Sequence, residues 1–228
     1  CSGEKGFRVL FDDLVFAPGE LPLGGGTWLF SEEQPGLTGL VDLTTLGWEP
    51  LTVTAAGLSI AGLSIAGTCT LAELSRLPAQ DGWAAYPLIW QCVNSLLGSF
   101  KVWNVATVGG NICMALPAGP MTSFAAAMDA TALVWSPDGS ERVIPVAALV
   151  EGVQRTALAH GEVVRSIDVP ASALASRTGF RRIALSPRPG RVCCASTSRP
   201  RPPRWPTPST RSTTGTTTRT ASPTGAGR

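Results

Sequence analysis

Apolar positions along this chain recur in short blocks broken by glycine, proline and polar residues. From Pro87 the residues Leu88, Ile89, Cys92, Val93, Leu96, Leu97 and Phe100 fall at three- and four-residue spacings, which predicts an amphipathic helix with proline in its first turn. Pro120 opens a second helix whose buried side includes Phe124, Ala125 and Met128, and residues 70–77 and 146–150 read as shorter ones, the first stopped by Pro78. The run Leu40-Val41-Asp42-Leu43 reads as a buried strand, and residues 162–169 as another closed by Pro170. Residues 132–135 and 142–144 flank Ser136-Pro137-Asp138-Gly139 and so predict a hairpin. Residues 7–16 show no clean period and fit either a strand or a short helix. Strands and helices alternate without βαβ regularity, so the fold class expected is α+β.

One stretch breaks the pattern. Residues 51–54 and 58–61 alternate about Ala56-Gly57 as a hairpin would, but Gly57-Leu58-Ser59-Ile60-Ala61 is repeated word for word as Gly62-Leu63-Ser64-Ile65-Ala66. An odd insertion within a strand reverses which face its side chains occupy, so one copy must loop out or bulge, with Gly62 or Gly67 as the place for it.

The 228 residues, 44% of them hydrophobic, are enough for a proper core, and no apolar run is long enough to span a bilayer. The net charge of +2 hides an asymmetry: up to Arg188 there are 11 Lys and Arg against 16 Asp and Glu, a balance of −5, and the last 40 residues hold 7 Arg and no acid. An acidic body argues against nucleic acid as its partner. The six cysteines have no CxxC spacing and no neighbouring histidine, which fits free thiols in a reducing cytoplasm better than a metal or iron–sulfur site. The single histidine, His160, falls in a polar turn, and Met114, Met121 and Met128 are spaced for packing.

Two glycine clusters carry the candidate chemistry. Leu23-Gly24-Gly25-Gly26-Thr27-Trp28 and Ala106-Thr107-Val108-Gly109-Gly110-Asn111 each join glycines to a hydroxyl amid apolar residues. Such a backbone can turn sharply and present several N–H groups to an anion. A single Gly-Gly pair would be no more than a tight turn, but two loops in one domain could converge on one diphosphate. Neither cluster is GxGxxG opening a helix or a P-loop.

These loops, with Leu40-Val41-Asp42-Leu43, Thr68-Cys69-Thr70-Leu71-Ala72-Glu73-Leu74, Ala115-Leu116-Pro117-Ala118 and Gly161-Glu162-Val163-Val164, resemble in order the signatures of the FAD-binding (medium) subunit of molybdenum hydroxylases, of the xanthine dehydrogenase and carbon monoxide dehydrogenase type. The resemblance implies a two-subdomain FAD-binding fold of the PCMH (vanillyl-alcohol oxidase-like) type, its first subdomain at 1–47 and its second at 48–170. It implies FAD held by Leu23, Gly24, Gly25, Gly26, Thr27, Trp28, Thr107, Gly109, Gly110, Asn111, Leu116, Val164 and Arg181. The pyrophosphate is expected on the amides of Gly25, Gly26, Thr27, Gly109 and Gly110, supported by the Thr107 and Asn111 side chains. Trp28, Trp103 and Pro120 depart from the family's usual Asp or Asn, Arg and Asp. The implied partners are a molybdopterin-binding large subunit and an iron–sulfur small subunit, with NAD or another electron acceptor, and neither nucleic acid nor membrane. A cytoplasmic oxidoreductase component follows. The alternatives are a non-enzymatic nucleotide-diphosphate module and an inactive truncated flavoprotein.

The family continues into a compact C-terminal subdomain. Here residues 171–188 read as its truncated start, and 189–228 are almost entirely Arg, Pro, Ser, Thr, Gly and Ala, a composition expected to be disordered. GC-rich codons read out of frame yield these residues, so a frameshift near residues 187–192 is the origin expected for the tail.

Overall fold

The computed structural model describes residues 6–9, 16–54, 61–96, 98, 100–182 and 193–197. Strands β1 (Gly6–Val9), β2 (Glu20–Leu23) and β3 (Gly39–Asp42) form a small parallel sheet in the order β1-β3-β2. The central strand buries Leu40 and Val41, as its apolar run predicts. The strand ends at Asp42 rather than Leu43, because the Asp42 side chain accepts the Thr44 amide at 2.9 Å and starts a 3-10 turn, Leu43–Leu46, closed by left-handed Gly47. The ambiguous segment 7–16 begins as a strand, and its residues 10–15 lie outside the described part.

The rest is a five-stranded antiparallel sheet and the helices packed on it. Strands β4 (Leu51–Thr54) and β5 (Gly62–Ala66) are followed by helices α1 (Leu71–Ser75), α2 (Tyr86–Val93), α3 (Phe100–Trp103), α4 (Val108–Cys113) and α5 (Pro120–Ala127). Next come β6 (Thr131–Trp135), β7 (Glu141–Pro145), α6 (Val146–Leu149), β8 (Val150–Gly152), β9 (Arg155–Thr156) and β10 (Val163–Val169). The order is β4-β5-β10-β6-β7. Leu63 and Ile65 of β5 and Ile167 of β10 meet Leu71, Leu74, Leu88, Ile112, Met121, Phe124 and Met128 in one core. The α+β class expected from the pattern is the one found.

Three local expectations change. The hairpin return strand is the second copy of the repeat: Gly62–Ala66 pairs with β4 on one side and β10 on the other, and residues 57–60 of the first copy lie outside the described part. The helix opening at Pro87 stops at Val93 and a new one begins at Phe100, which is 71% exposed. At the break the buried Ser95 hydroxyl donates to the Cys92 carbonyl at 2.6 Å, a local bond that competes with the helical ladder. The helix expected at 70–77 is α1 alone, fixed by reciprocal capping between Thr70 and Glu73.

After α7 (Ala171–Leu174), strand β11 (Thr178–Arg182) pairs antiparallel with β12 (Cys193–Thr197). The latter falls within the segment expected to be disordered, so for these five residues that expectation is corrected. Cys193-Cys194-Ala195-Ser196-Thr197 carries no proline, glycine or charge, unlike its surroundings, and a backbone ladder needs little apolar area to form. Residues 198–228 lie outside the described part.

One ion pair ties the β6–β7 hairpin to the turn before β10. The Arg142 guanidinium donates from Nε and Nη2 to Glu162 Oε1 and Oε2 at 2.8 and 2.7 Å, and the Ala159 amide adds a bond to the same carboxylate. The Arg142 hydrogen bonds hold the Glu162 carboxyl down to about 2 against the opposing effect of burial. A depressed folded-state value contributes stability that is complete above the ordinary carboxylate range and lost as pH falls toward 2. Urea midpoints of wild type and Glu162→Gln should therefore converge as pH drops from neutral to 2.5, from a gap of about 1–3 kcal/mol at pH 7. A gap that does not narrow would contradict this.

Candidate functional site

One glycine loop follows β2 of the small sheet, the other opens helix α4, and the two touch. The first leaves β2 at Leu23 and runs through Gly24 into a tight turn, in which the Phe30 amide donates to Gly26 O at 3.0 Å and the Ser31 amide to Trp28 O at 2.9 Å. Gly25 has φ +107°, and a Cβ there would lie 1.9 Å from the Val105 carbonyl oxygen, so backbone rests directly on backbone. The amides of Gly25, Gly26, Thr27 and Trp28 donate to no acceptor among the described residues. Thr27 is exposed, and its carbonyl accepts the Ser31 hydroxyl at 2.5 Å.

The second loop is built on a shelf. The Leu71 amide donates to Ala106 O at 2.9 Å, the Val108 amide to Cys69 O at 2.8 Å and the Gly109 amide to Gly67 O at 3.0 Å. A Cβ on Gly109 would come within 2.6 Å of the Gly67 oxygen. Thr107, 2% exposed, caps α4 by accepting the Gly110 amide at 3.1 Å and donates its hydroxyl to Gly24 O at 2.5 Å. That last bond is the direct tie between the loops.

The Gly109 amide is bonded to Gly67 O and the Gly110 amide to the Thr107 hydroxyl oxygen, and the Thr107 hydroxyl is the group that reaches across to the first loop. Asn111 accepts the Met121 amide at 3.1 Å through Oδ1 and so anchors the start of α5, where Pro120 is the first residue. On the first loop the four adjacent amides of residues 25–28 are unpartnered among the described residues, and such a run of N–H groups can face an anion.

The remaining expected residues are spread out. Val164 is buried in β10, and its carbonyl would lie 2.1 Å from a Cβ on Gly67, so it belongs to the shelf. Leu116 lines an open apolar groove of about 440 Å³ together with Pro117, Ala118, Thr122, Val150 and Val153, on a loop bent by left-handed Ala115 and Ala118. Arg181 is exposed on β11 opposite Cys194 and makes no hydrogen bond or ion pair among the described residues. Val105 and Gly67 were not singled out as site residues from sequence. Each acts through its backbone, and a lone glycine after a strand was the only available signal.

Burial pushes the Cys69 and Cys113 thiols up to about 12, with the Glu73 carboxylate adding to the effect at Cys69. Both stay protonated, which suits packing and not metal binding or nucleophilic attack. Among the described residues no group of His, Cys, Asp and Glu could hold a metal ion, and no helix is long and apolar enough to cross a membrane.

A small parallel sheet and a larger antiparallel one covered by helices, with a glycine loop from β2 meeting the start of α4, is the layout of a two-part cofactor-binding domain. Residues 17–172 match the family described as the FAD binding domain in molybdopterin dehydrogenase, and the chain belongs to that family. FAD is the cofactor of such a domain. Similar solved structures include a carbon monoxide dehydrogenase from Hydrogenophaga pseudoflava that lacks the Mo-pyranopterin moiety of its cofactor (24% identity, TM-score 0.66, 81% of this chain and 63% of that one). Others are quinoline 2-oxidoreductase from Pseudomonas putida 86 (22%, 0.62, 74% and 57%) and reconstituted CO dehydrogenase from Oligotropha carboxidovorans (22%, 0.61, 74% and 57%). These likenesses show the fold, and the chain spans less than two thirds of each of those chains. No curated protein matches it in sequence.

Proposed function

We propose that this chain is the FAD-binding subunit of a cytoplasmic molybdenum hydroxylase, assembled with a molybdopterin-binding large subunit and an iron–sulfur small subunit. The redox chemistry is supplied by the bound flavin, which would pass electrons from the partner's iron–sulfur clusters to NAD or another acceptor. The chain's own residues bind and orient. In this reading the diphosphate takes the amides of Gly25, Gly26, Thr27 and Trp28, while Thr107 holds Gly24 from behind and is itself fixed by the Gly110 amide. Phe30 and Val105, both exposed beside that loop, supply apolar contact at its rim. The observation that carries the proposal is the row of four unpartnered amides on a loop clamped by Thr107, in a domain of an FAD-binding family. Hydrogen bonds to a charged acceptor contribute roughly 1.5–3 kcal/mol each, enough for a handful to retain the cofactor without a covalent link.

The test is whether the full chain, passed through gel filtration after incubation with FAD, carries flavin absorbance. ADP should displace FAD, because it presents the same diphosphate, and FMN, which has only a monophosphate, should bind weakly. No retained flavin, or FMN binding as well as FAD, would overturn the assignment.

A further inference from the structure

Strand β10 is interrupted at one residue. Val164 pairs with Val134 and Ser166 with Leu133, which leaves Arg165 bulged out of the ladder. The Arg165 side chain and its backbone make separate sets of contacts. The guanidinium lies 4.4 Å from the Trp48 ring centroid and 5.4 Å from that of Trp135, and the two rings meet edge to face at 5.6 Å. Trp48 follows Gly47 at the end of the first unit, and with Trp135 it packs on the cluster of Val41, Leu43 and Val163 that joins the two sheets. The Arg165 carbonyl accepts the Gly67 amide at 2.9 Å, and the Gly67 carbonyl accepts the Gly109 amide at 3.0 Å.

The geometry points to Arg165 as a positioning residue for the FAD site: its cation stacks on Trp48 and Trp135, which pack on the cluster joining the two sheets, and its carbonyl supports the shelf under the second glycine loop. This inference rests on the FAD reading above. Neither function needs contact with the cofactor. The planar, weakly hydrated guanidinium suits the face of Trp48, and the charge is countered nearby by Asp168 and Glu141. Loss of the cation leaves the shelf bond intact, because that bond belongs to the backbone, and frees the first unit to pivot about the Thr107–Gly24 contact.

The experiment compares FAD dissociation constants of the full chain as wild type, Arg165→Gln, Arg165→Lys and Gly25→Ala, with amide exchange followed at the hydrogen-bonded amides of Phe30 and Ser31 in the first loop and at Gly109. Arg165→Gln should weaken FAD about tenfold, and Arg165→Lys, which keeps a cation over the ring, should recover most of that loss. In the glutamine variant exchange should quicken at Phe30 and Ser31, whose amides close the turn of the first loop, but not at Gly109, a selectivity that general destabilisation would not produce. Should Arg165→Gln fail to fold, Trp48→Leu carries the same expectation with Arg165 in place. Wild-type affinity in Arg165→Gln or its stand-in, with binding lost in Gly25→Ala, overturns the positioning role and leaves the site standing. Wild-type affinity in Gly25→Ala as well overturns the site and this inference with it, and a wild type that binds no FAD does the same.

Discussion

Gly25→Ala should leave the chain folded and unable to retain FAD. The alanine meets two obstacles at once: a φ of +107° that side-chain-bearing residues rarely adopt, and a Val105 carbonyl oxygen 1.9 Å from the new Cβ. Backbone atoms cannot swing aside as the end of a flexible side chain can, so the loop must lift away from Val105 and from the Thr107 hydroxyl that holds Gly24. The four unpartnered amides are then displaced with it. With two or more charge-assisted bonds lost, affinity should fall roughly a hundredfold or more. Far-UV circular dichroism should match wild type, because the loop lies outside the main core. Wild-type flavin content in the purified variant would show that the first loop does not hold the cofactor.

Gly67→Ala should damage stability and binding together. A Cβ there would lie 2.1 Å from the Val164 carbonyl oxygen, forcing the end of β5 away from β10 at the bulge. Both backbone bonds of Gly67 would be strained, the one to Arg165 and the one from Gly109. No change of rotamer relieves such a contact, so the cost should reach or exceed the upper end of about 1–3 kcal/mol for added bulk in a packed interior. The expected result is a clear drop in urea midpoint alongside lost FAD, in contrast to Gly25→Ala, which loses the second without much of the first. An unchanged midpoint would mean that the shelf is more compliant than its geometry implies.

What could be read from sequence was what local rules decide. Thr70 and Glu73 announce the start of α1, Ser136-Pro137-Asp138-Gly139 the β6–β7 turn, and the spacing of Phe124, Ala125 and Met128 the buried side of α5. The two glycine loops were visible for the same reason. Their bonding was not, because it depends on which acceptor each amide meets: Gly109 finds Gly67 and Gly110 finds Thr107, whereas Gly25 lies against Val105 and keeps its N–H unpartnered among the described residues. The bulge at Arg165 is likewise invisible in Val163-Val164-Arg165-Ser166-Ile167, since only the register on β6 reveals the extra residue. Nor could two identical pentapeptides say which of them would be the strand. The neighbours decide that: Leu63 to Ala66 pair with β10, and the Ser64 hydroxyl donates to Asp168 at 2.5 Å.

That repeat bears on which genetic accidents the fold tolerates. In sequence the first copy lies between Thr54 and Gly62, which pair across β4 and β5 at the edge of the sheet. Lengthening a connection from two residues to seven costs about 1 kcal/mol of closure entropy, and the strands on either side keep their partners. A replication slip at this position is therefore close to neutral for the folded state. The same slip some ten residues downstream, between Gly67 and Thr70, would separate the shelf from the Thr70–Thr107 bridge and take the cofactor site with it.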